Sequence, residues 1–426
     1  ELAIPEGQEY CKKLAVLARK LDPDKAVTMG VNLMLCSMSA KGGGIYGNKK
    51  NGKENQNGSQ TMDNVPTSAF FNMLMNLAGG MIEKMAAKPA ADDATKVSFS
   101  YLDIGGYNYA ASRYEKDGTL HPDRVIVGSE TLPKNLYHNW QLVKKFPYVI
   151  GDFMWTGWDY LGEAGIGTVR YKSFKNPGQD APIISAGCGV IDICGKLRPE
   201  VQWNRLVWGL DHTPGIGVEP YTHAGETGSE SMWRDTDAVA SWSWAGCEGK
   251  KTKVTVYSDG ETAELIVNGH SYGRKETKEY KAVFKHVVYE PGTITAISYD
   301  GEGKEQSRTS MKTAAGPAEL RVVADRSTLQ AKTQDLAYIS IDLTGADGIT
   351  KSSEDTAVTV EVAGAGTLLA LGSARPNMGE NFFSDTHTTY YGKALAVVRG
   401  GDAPGKITVT VKAKGLPAKT LELEVI

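Results

Sequence analysis

Arg124-Val125-Ile126-Val127-Gly128-Ser129-Glu130-Thr131 is the stretch whose reading decides the fold. Val125 to Val127 are β-branched and carry no polar side chain, the composition of a strand buried on both faces in a parallel sheet covered by helices. Glu130 stands at its C-terminal end. A lone glutamate after a strand says little by itself, because most such residues are solvated loop acids or charges at a helix N-terminus. The neighbouring segments decide what this one is.

Upstream, Val97 to Tyr109 reads as a strand closing in the pair Gly105-Gly106 and the aromatics Tyr107 and Tyr109, and Ala26 to Asn32 as a short apolar strand. Gln8 to Leu21 is an amphipathic helix, with Leu14, Leu17 and Leu21 at helical spacing beside Lys12, Lys13, Arg19 and Lys20, closed by Asp22-Pro23. Residues 41–60 are rich in Gly, Asn and Lys and read as a surface loop, and 67–87 as a long helix. Downstream come helices at Ala110 to Lys116, Leu136 to Lys145 and Pro199 to Leu210, with a strand at Tyr148 to Trp155. This alternation predicts a parallel α/β domain. Its four strands have the cadence of half a (β/α)8 barrel, a fold that builds its sites at the carboxyl ends of the strands. Those ends present Asn32, Asn108 with Tyr109, Glu130, and Trp155 with Asp159. A carboxylate, amides and aromatic faces on one rim suit a sugar ring, which offers hydroxyls at its edge and C–H groups on its face. The plainer alternative is a rim of ordinary polar caps.

After about residue 215 the helical periodicity vanishes. Alternating strands appear at 253–257, 263–267, 282–289 and 294–299, separated by Asp259-Gly260, Asn268-Gly269, Pro291-Gly292 and Asp300-Gly301. Thr313 to Pro317 reads as a linker, and a second set follows at 320–324, 336–343, 358–362 and 406–412. Both sets predict immunoglobulin-like sandwiches. The expected domains are 1–215, 216–314 and 315–426.

A net charge of -3 and the lack of a basic stripe argue against a nucleic-acid partner. Lys49, Lys50 and Lys53 read as part of a solvated loop. No apolar run reaches the roughly 18 residues that span a bilayer, and the N-terminus carries no signal-peptide pattern. Five scattered cysteines, Cys11, Cys36, Cys188, Cys194 and Cys247, form neither a disulfide framework nor a zinc pattern and read as packing residues.

Several strings occur together: GSETLP from Gly128, FPYVIGDFMWTGWDYLGEAGIG from Phe146, GVIDICGKLRPE from Gly189, ELIVNGHSYGRK from Glu264, and the turn Tyr289-Glu290-Pro291-Gly292. The chain resembles glycoside hydrolase family 2, in its β-galactosidase-like branch. The resemblance covers nearly the whole chain and implies the C-terminal half of a (β/α)8 TIM barrel followed by two immunoglobulin-like β-sandwiches. It makes Glu130 the nucleophile of a retaining β-glycosidase, Tyr109 the tyrosine that hydrogen-bonds it, and Trp155 a wall of the sugar subsite. Asn32, Asn108 and Asp159 carry over as substrate-binding residues. Glu163 stands in a family motif too, with a structural loop carboxylate as the alternative. A retaining mechanism needs a second carboxyl group roughly 5 Å from the first. The resemblance places that acid/base at Glu1 or three residues upstream of it.

The same resemblance implies an oligosaccharide substrate and no cofactor. Some members hold a Mg²⁺ or Na⁺ ion near the site, and no pattern here assigns one. It also implies periplasmic or extracellular action, with any signal peptide in an N-terminal remainder. That remainder, or an oligomer, is expected to cover the open half barrel. Among activities, β-galactosidase stands first. β-Glucuronidase is the alternative, with Asn48-Lys49-Lys50 as its basic string. From another class, the chain would be a non-catalytic carbohydrate-binding or structural module presenting Trp233, Trp242, Trp244 and Tyr257, although tryptophans in a sandwich more often belong to its core.

Overall fold

The computed structural model describes residues 2–41, 84–171, 182–377 and 379–426. All but the first residue of the loop read at 41–60, Asn48-Lys49-Lys50 included, and most of the helix expected at 67–87 lie outside the described residues. The chain forms two compact bodies, Glu1–Gly157 with Glu230–Asp235, and Trp158–Ser229 with Thr236–Ile426. The second therefore takes in residues 158–214, which sequence patterning counts with the first domain.

The first body is a parallel sheet of β1 (Thr28–Asn32), β2 (Ile104–Asn108), β3 (Val125–Thr131) and β4 (Val149–Met154), in that order. Helices alternate with the strands: α1 (Pro5–Leu21), α2 (Leu33–Ala40), α3 (Pro89–Phe99), α4 (Tyr114–Leu120) and α5 (Leu136–Lys145). Val31, Leu33, Cys36, Phe99, Tyr107, Tyr114, Ile126 and Val149 close one core between sheet and helices. Ile126 and Val127 are buried as their composition requires.

One expected strand is corrected. Val97 to Phe99 is the last turn of α3, and β2 is confined to Ile104–Asn108. The apparent alternation at 97–100 loses to a helical one, because Ala91, Ala94, Ser98 and Phe99 recur at helical spacing and are buried together. Pro89 starts that helix, Asp92 sits in its first turn, and the Thr95 hydroxyl bonds back to the Ala91 carbonyl at 2.8 Å. In α1 the buried residues are Cys11 and Ala15. Tyr10, Leu14, Leu17 and Leu21 lie exposed along another face.

The second body carries α6 (Glu200–Val207) and two β-sandwiches. In the first, the sheet of β5 (Gly215–Val218), β6 (Lys251–Tyr257) and β9 (Lys281–Val288) faces a sheet ordered β11 (Glu305–Lys312), β10 (Thr293–Tyr299), β7 (Thr262–Val267), β8 (His270–Glu276). Val254, Leu265, Phe284 and Ile294 share their core with Trp242 and Trp244. The second sandwich pairs a four-stranded with a five-stranded sheet around Leu320, Ile339, Val360, Val398 and Val409.

Asn268 and Gly269, with φ of 48° and 82°, make the two-residue turn from β7 to β8, the left-handed pair a tight hairpin requires. Edge strands β8 and β11 escaped the pattern because neither carries a fully buried residue and only Tyr272 and Met311 bring an apolar side chain to the core. Their sequences, HSYGRKE and EQSRTSMK, carry the charges that blunt an edge. Trp242, Trp244 and Tyr257 are fully buried, so none offers a face to a sugar. Each indole N–H is satisfied inside, Trp242 by the Glu290 carbonyl and Trp244 by that of Ser241, both at 3.1 Å. Among the described residues no helix is long and apolar enough to cross a membrane.

Candidate active site

The parallel ladder continues past the strand ends and gathers a rim. Asn32 pairs with Asn108, and Asn108 with Glu130. Beyond them the Tyr109 amide donates to the Glu130 carbonyl at 2.8 Å, and the Trp155 amide to that of Thr131 at 2.8 Å. Asn32, Asn108, Tyr109, Glu130 and Trp155 thus stand at one end of the first body.

Two register shifts shape the tip of β3. Between Gly106/Val127 and Asn108/Glu130, two steps on β2 match three on β3, and between Gly128/Asp152 and Thr131/Met154 three steps on β3 again match two on β4, so β3 carries the extra residue against both neighbours. Such bulges re-aim side chains. In a regular strand Ser129 and Glu130 would point to opposite faces. Here both reach Asn108: the Ser129 hydroxyl donates to Asn108 Oδ1 at 2.7 Å, and Asn108 Nδ2 donates to Glu130 Oε2 at 2.9 Å. The amide therefore has one orientation. Gly30 leaves room for it, since a Cβ there would lie 2.9 Å from Asn108 Oδ1.

The other carboxylate oxygen, Glu130 Oε1, accepts a short hydrogen bond from the Tyr109 hydroxyl. Tyr109 has φ of 52°, a left-handed conformation that bulky residues adopt only where their surroundings impose it. Its hydroxyl accepts from Trp233 Nε1 at 3.0 Å. Glu130 is half-buried and held by a donor on each oxygen, an arrangement that favours its ionised form.

The remaining predicted residues separate. Asn32 caps α2, its Oδ1 accepting from the Leu35 amide at 3.0 Å. Asp159 lies in the second body, buried, and its carboxylate accepts from the Gly187 and Tyr160 amides at 2.9 and 3.1 Å and pairs with Arg198 at 3.4 Å. Glu163, also in that body, accepts from the Tyr160 hydroxyl. Sequence reasoning missed Ser129, whose role depends on the bulge, and named Trp233 only as an aromatic for stacking on a sugar, because its partner Tyr109 is 124 residues away. Among the described residues Asp92, Asp117 and His121 bring possible ligand atoms within 4.8 Å of one another. Arg113 is bonded to both carboxylates and supplies the positive charge that a cation would bring.

Behind the rim, Asp152 on β4 accepts from the Thr131 hydroxyl at 3.1 Å. Burial pushes its carboxyl up to about 7, only partly offset by that hydrogen bond. The folded protein thus keeps this proton to a higher pH than the unfolded chain, whose aspartates titrate near 3.9. Stability falls as pH rises from about 4 to 7. Asp152→Asn, a neutral stand-in, is expected to raise the unfolding temperature at pH 8 and to leave it near the parent value at pH 4. Equal midpoints at pH 8 would count against the buried proton.

A parallel sheet with a held carboxylate at its carboxyl rim, joined to β-sandwiches, defines a class: an α/β body of the kind that carries active sites, with all-β bodies attached. Comparison with known proteins narrows it. Residues 320–422 match the model of glycoside hydrolase family 2 C-terminal domain 5, and residues 249–307 match a domain of unknown function, DUF4982. The β-galactosidase BoGH2A of Bacteroides ovatus is 26% identical over 285 residues, 66% of this chain and 29% of that protein. The crystal structure of a glycosyl hydrolase family 2 member from Bacteroides cellulosilyticus superposes with a TM-score of 0.75 at 29% identity, covering 100% of this chain and 48% of that one. A β-glucuronidase structure from the same family shares the fold at a TM-score of 0.57 and 15% identity, over 81% of this chain and 37% of that one. The chain is thus similar to members of glycoside hydrolase family 2, and its residues 320–422 match that family's C-terminal domain 5. It spans about half the length of the solved relative and under a third of the curated one.

Proposed function

We propose that the chain is the C-terminal part of a retaining exo-β-glycosidase, a β-galactosidase acting on terminal sugars of oligosaccharides, with Glu130 as nucleophile. The observation that carries this reading is the Glu130 carboxylate held on both oxygens by Asn108 and Tyr109 at the carboxyl rim of a parallel sheet. An ionised carboxylate so held attacks the anomeric carbon, forming the C–O bond of a glycosyl-enzyme as the bond to the leaving group breaks; water then releases the sugar with net retention. Trp155, beside Thr131 at the rim, presents a ring to the sugar's C–H face. The acid/base, expected at Glu1 or upstream of it, lies outside the described residues.

The four strands are read as half of a (β/α)8 barrel and the two sandwiches as immunoglobulin-like. Two exposed features support a covering partner: the stripe Tyr10, Leu14, Leu17, Leu21 on α1, and Ile150 and Phe153 on the sheet-edge strand β4. Apolar surface of this kind is normally covered. The N-terminal remainder of the enzyme is the proposed cover.

The intact protein should hydrolyse an aryl β-galactoside in a panel of chromogenic glycosides, and the 426-residue chain alone should not. A 2-deoxy-2-fluoro glycoside should label Glu130. Hydrolysis of the glucuronide with no action on the galactoside would replace the substrate assignment, and a label on another residue would refute the nucleophile.

A further inference from the structure

Trp233 lies between strands of the first sandwich in sequence, yet residues Glu230–Asp235 pack with the first body. Its ring is only 6% exposed, so it is no platform for a sugar. Its Nε1 lies 3.0 Å from the Tyr109 hydroxyl, and the two rings meet edge to face at 6.2 Å and 86°.

We propose that Trp233 is a positioning residue for Glu130, acting through the Tyr109 hydroxyl. This inference rests on the glycosidase reading above. An indole N–H only donates, whereas a phenol has one proton to give. With Trp233 donating to the Tyr109 oxygen, the phenol proton is directed at Glu130 Oε1, and the chain of hydrogen bonds has one sense, from indole to phenol to carboxylate. Donation to the phenol oxygen also polarises its O–H and strengthens it as a donor. The carboxylate is therefore held symmetrically in logic: Asn108 on one oxygen is oriented by Ser129, and Tyr109 on the other is oriented by Trp233. The left-handed backbone of Tyr109 raises the need for such a tether, since its side chain must hold a position that local preference does not supply.

The test is a cycle in the intact protein: parent, Trp233→Phe, Tyr109→Phe and the double variant, each followed as kcat/KM against pH. Trp233→Phe removes the N–H. It should lower kcat roughly tenfold, the order of one lost hydrogen bond, and move the acidic limb, which reports ionisation of the nucleophile, up by as much as about one pH unit. In the Tyr109→Phe background it should add little. A loss of equal size in both backgrounds, or an unmoved acidic limb, overturns the proposal, because a purely structural indole would behave so. 5-Fluorotryptophan installed at position 233 alone keeps the shape and makes the N–H a stronger donor; it should move the limb the other way, and a limb left in place would again overturn the relay. A parent labelled at Glu130 whose variants leave the profile unchanged refutes Trp233 alone, whereas a label elsewhere refutes the glycosidase reading and this inference with it.

Discussion

Glu130→Gln in the intact protein is expected to lower kcat/KM on an aryl galactoside by roughly 10⁴-fold or more, the usual order for removal of a covalent nucleophile. The amide has nearly the shape of the carboxylate, so the loss reports chemistry rather than packing. Its NH₂ group also has no acceptor on one side, because Asn108 Nδ2 and the Tyr109 hydroxyl both donate into this position. Glu130→Ala instead opens space on the sugar's attacked face. Azide added to that variant should form a C–N bond to the anomeric carbon as the bond from that carbon to the glycosidic oxygen breaks, the electron pair leaving on that oxygen as the phenolate. The product should be the glycosyl azide of inverted configuration, seen by NMR. Retention of more than about a hundredth of parental activity in Glu130→Gln would end the nucleophile assignment.

The largest effect on stability should come from Arg113→Ala. Arg113 and Asp117 are both fully buried and paired through the guanidinium Nε, at 2.9 Å, and Nη2. Asp117 also accepts from the Tyr107 hydroxyl at 2.5 Å, which in turn accepts from Arg124 at 2.9 Å. Arg113 reaches Asp92 at 3.1 Å, and Asp92 meets His121 at 2.7 Å. This network ties β2 through Tyr107, α4 through Asp117 and the entry to β3 through Arg124, the crossover that brings Tyr109 against Glu130. Removing one partner of a buried pair typically costs about 3–5 kcal/mol, because the other charge stays buried without compensation. Amide hydrogen exchange in β2 and β3 should therefore quicken by at least about a hundredfold. Arg113→Met combined with Asp117→Leu should recover much of the loss, since replacing both charges by apolar groups of similar volume is often close to neutral. An increase below about fivefold for Arg113→Ala would show that the network is not what holds the crossover.

The organisation of the chain was legible where one periodicity dominates. Val125 to Val127 announced a buried strand, Leu136 to Lys145 a helix with the bounds the structure has, and Asn268-Gly269 a hairpin turn. Legibility failed where a segment buries no residue fully, as in β8 and β11, or where two periodicities overlap, as at Val97 to Phe99. For Trp242 and Trp244 the sequence favours the core reading that their burial bears out, while keeping a binding role open, because nothing local distinguishes an indole that packs from one that binds.

By itself the sequence determined the α/β-then-β order of the chain, its resemblance to the family, and the placing of Asn108, Tyr109, Glu130 and Trp155 at strand ends, since period and motif are local properties. Only the tertiary structure decided how those residues act on one another. The bulge that turns Ser129 and Glu130 to one amide depends on the registers of three strands. The indole that orders Tyr109 arrives from 124 residues away. Asp159 went to a buried pair with Arg198 in the other body, a fate that depends on which carboxylate the fold removes from water.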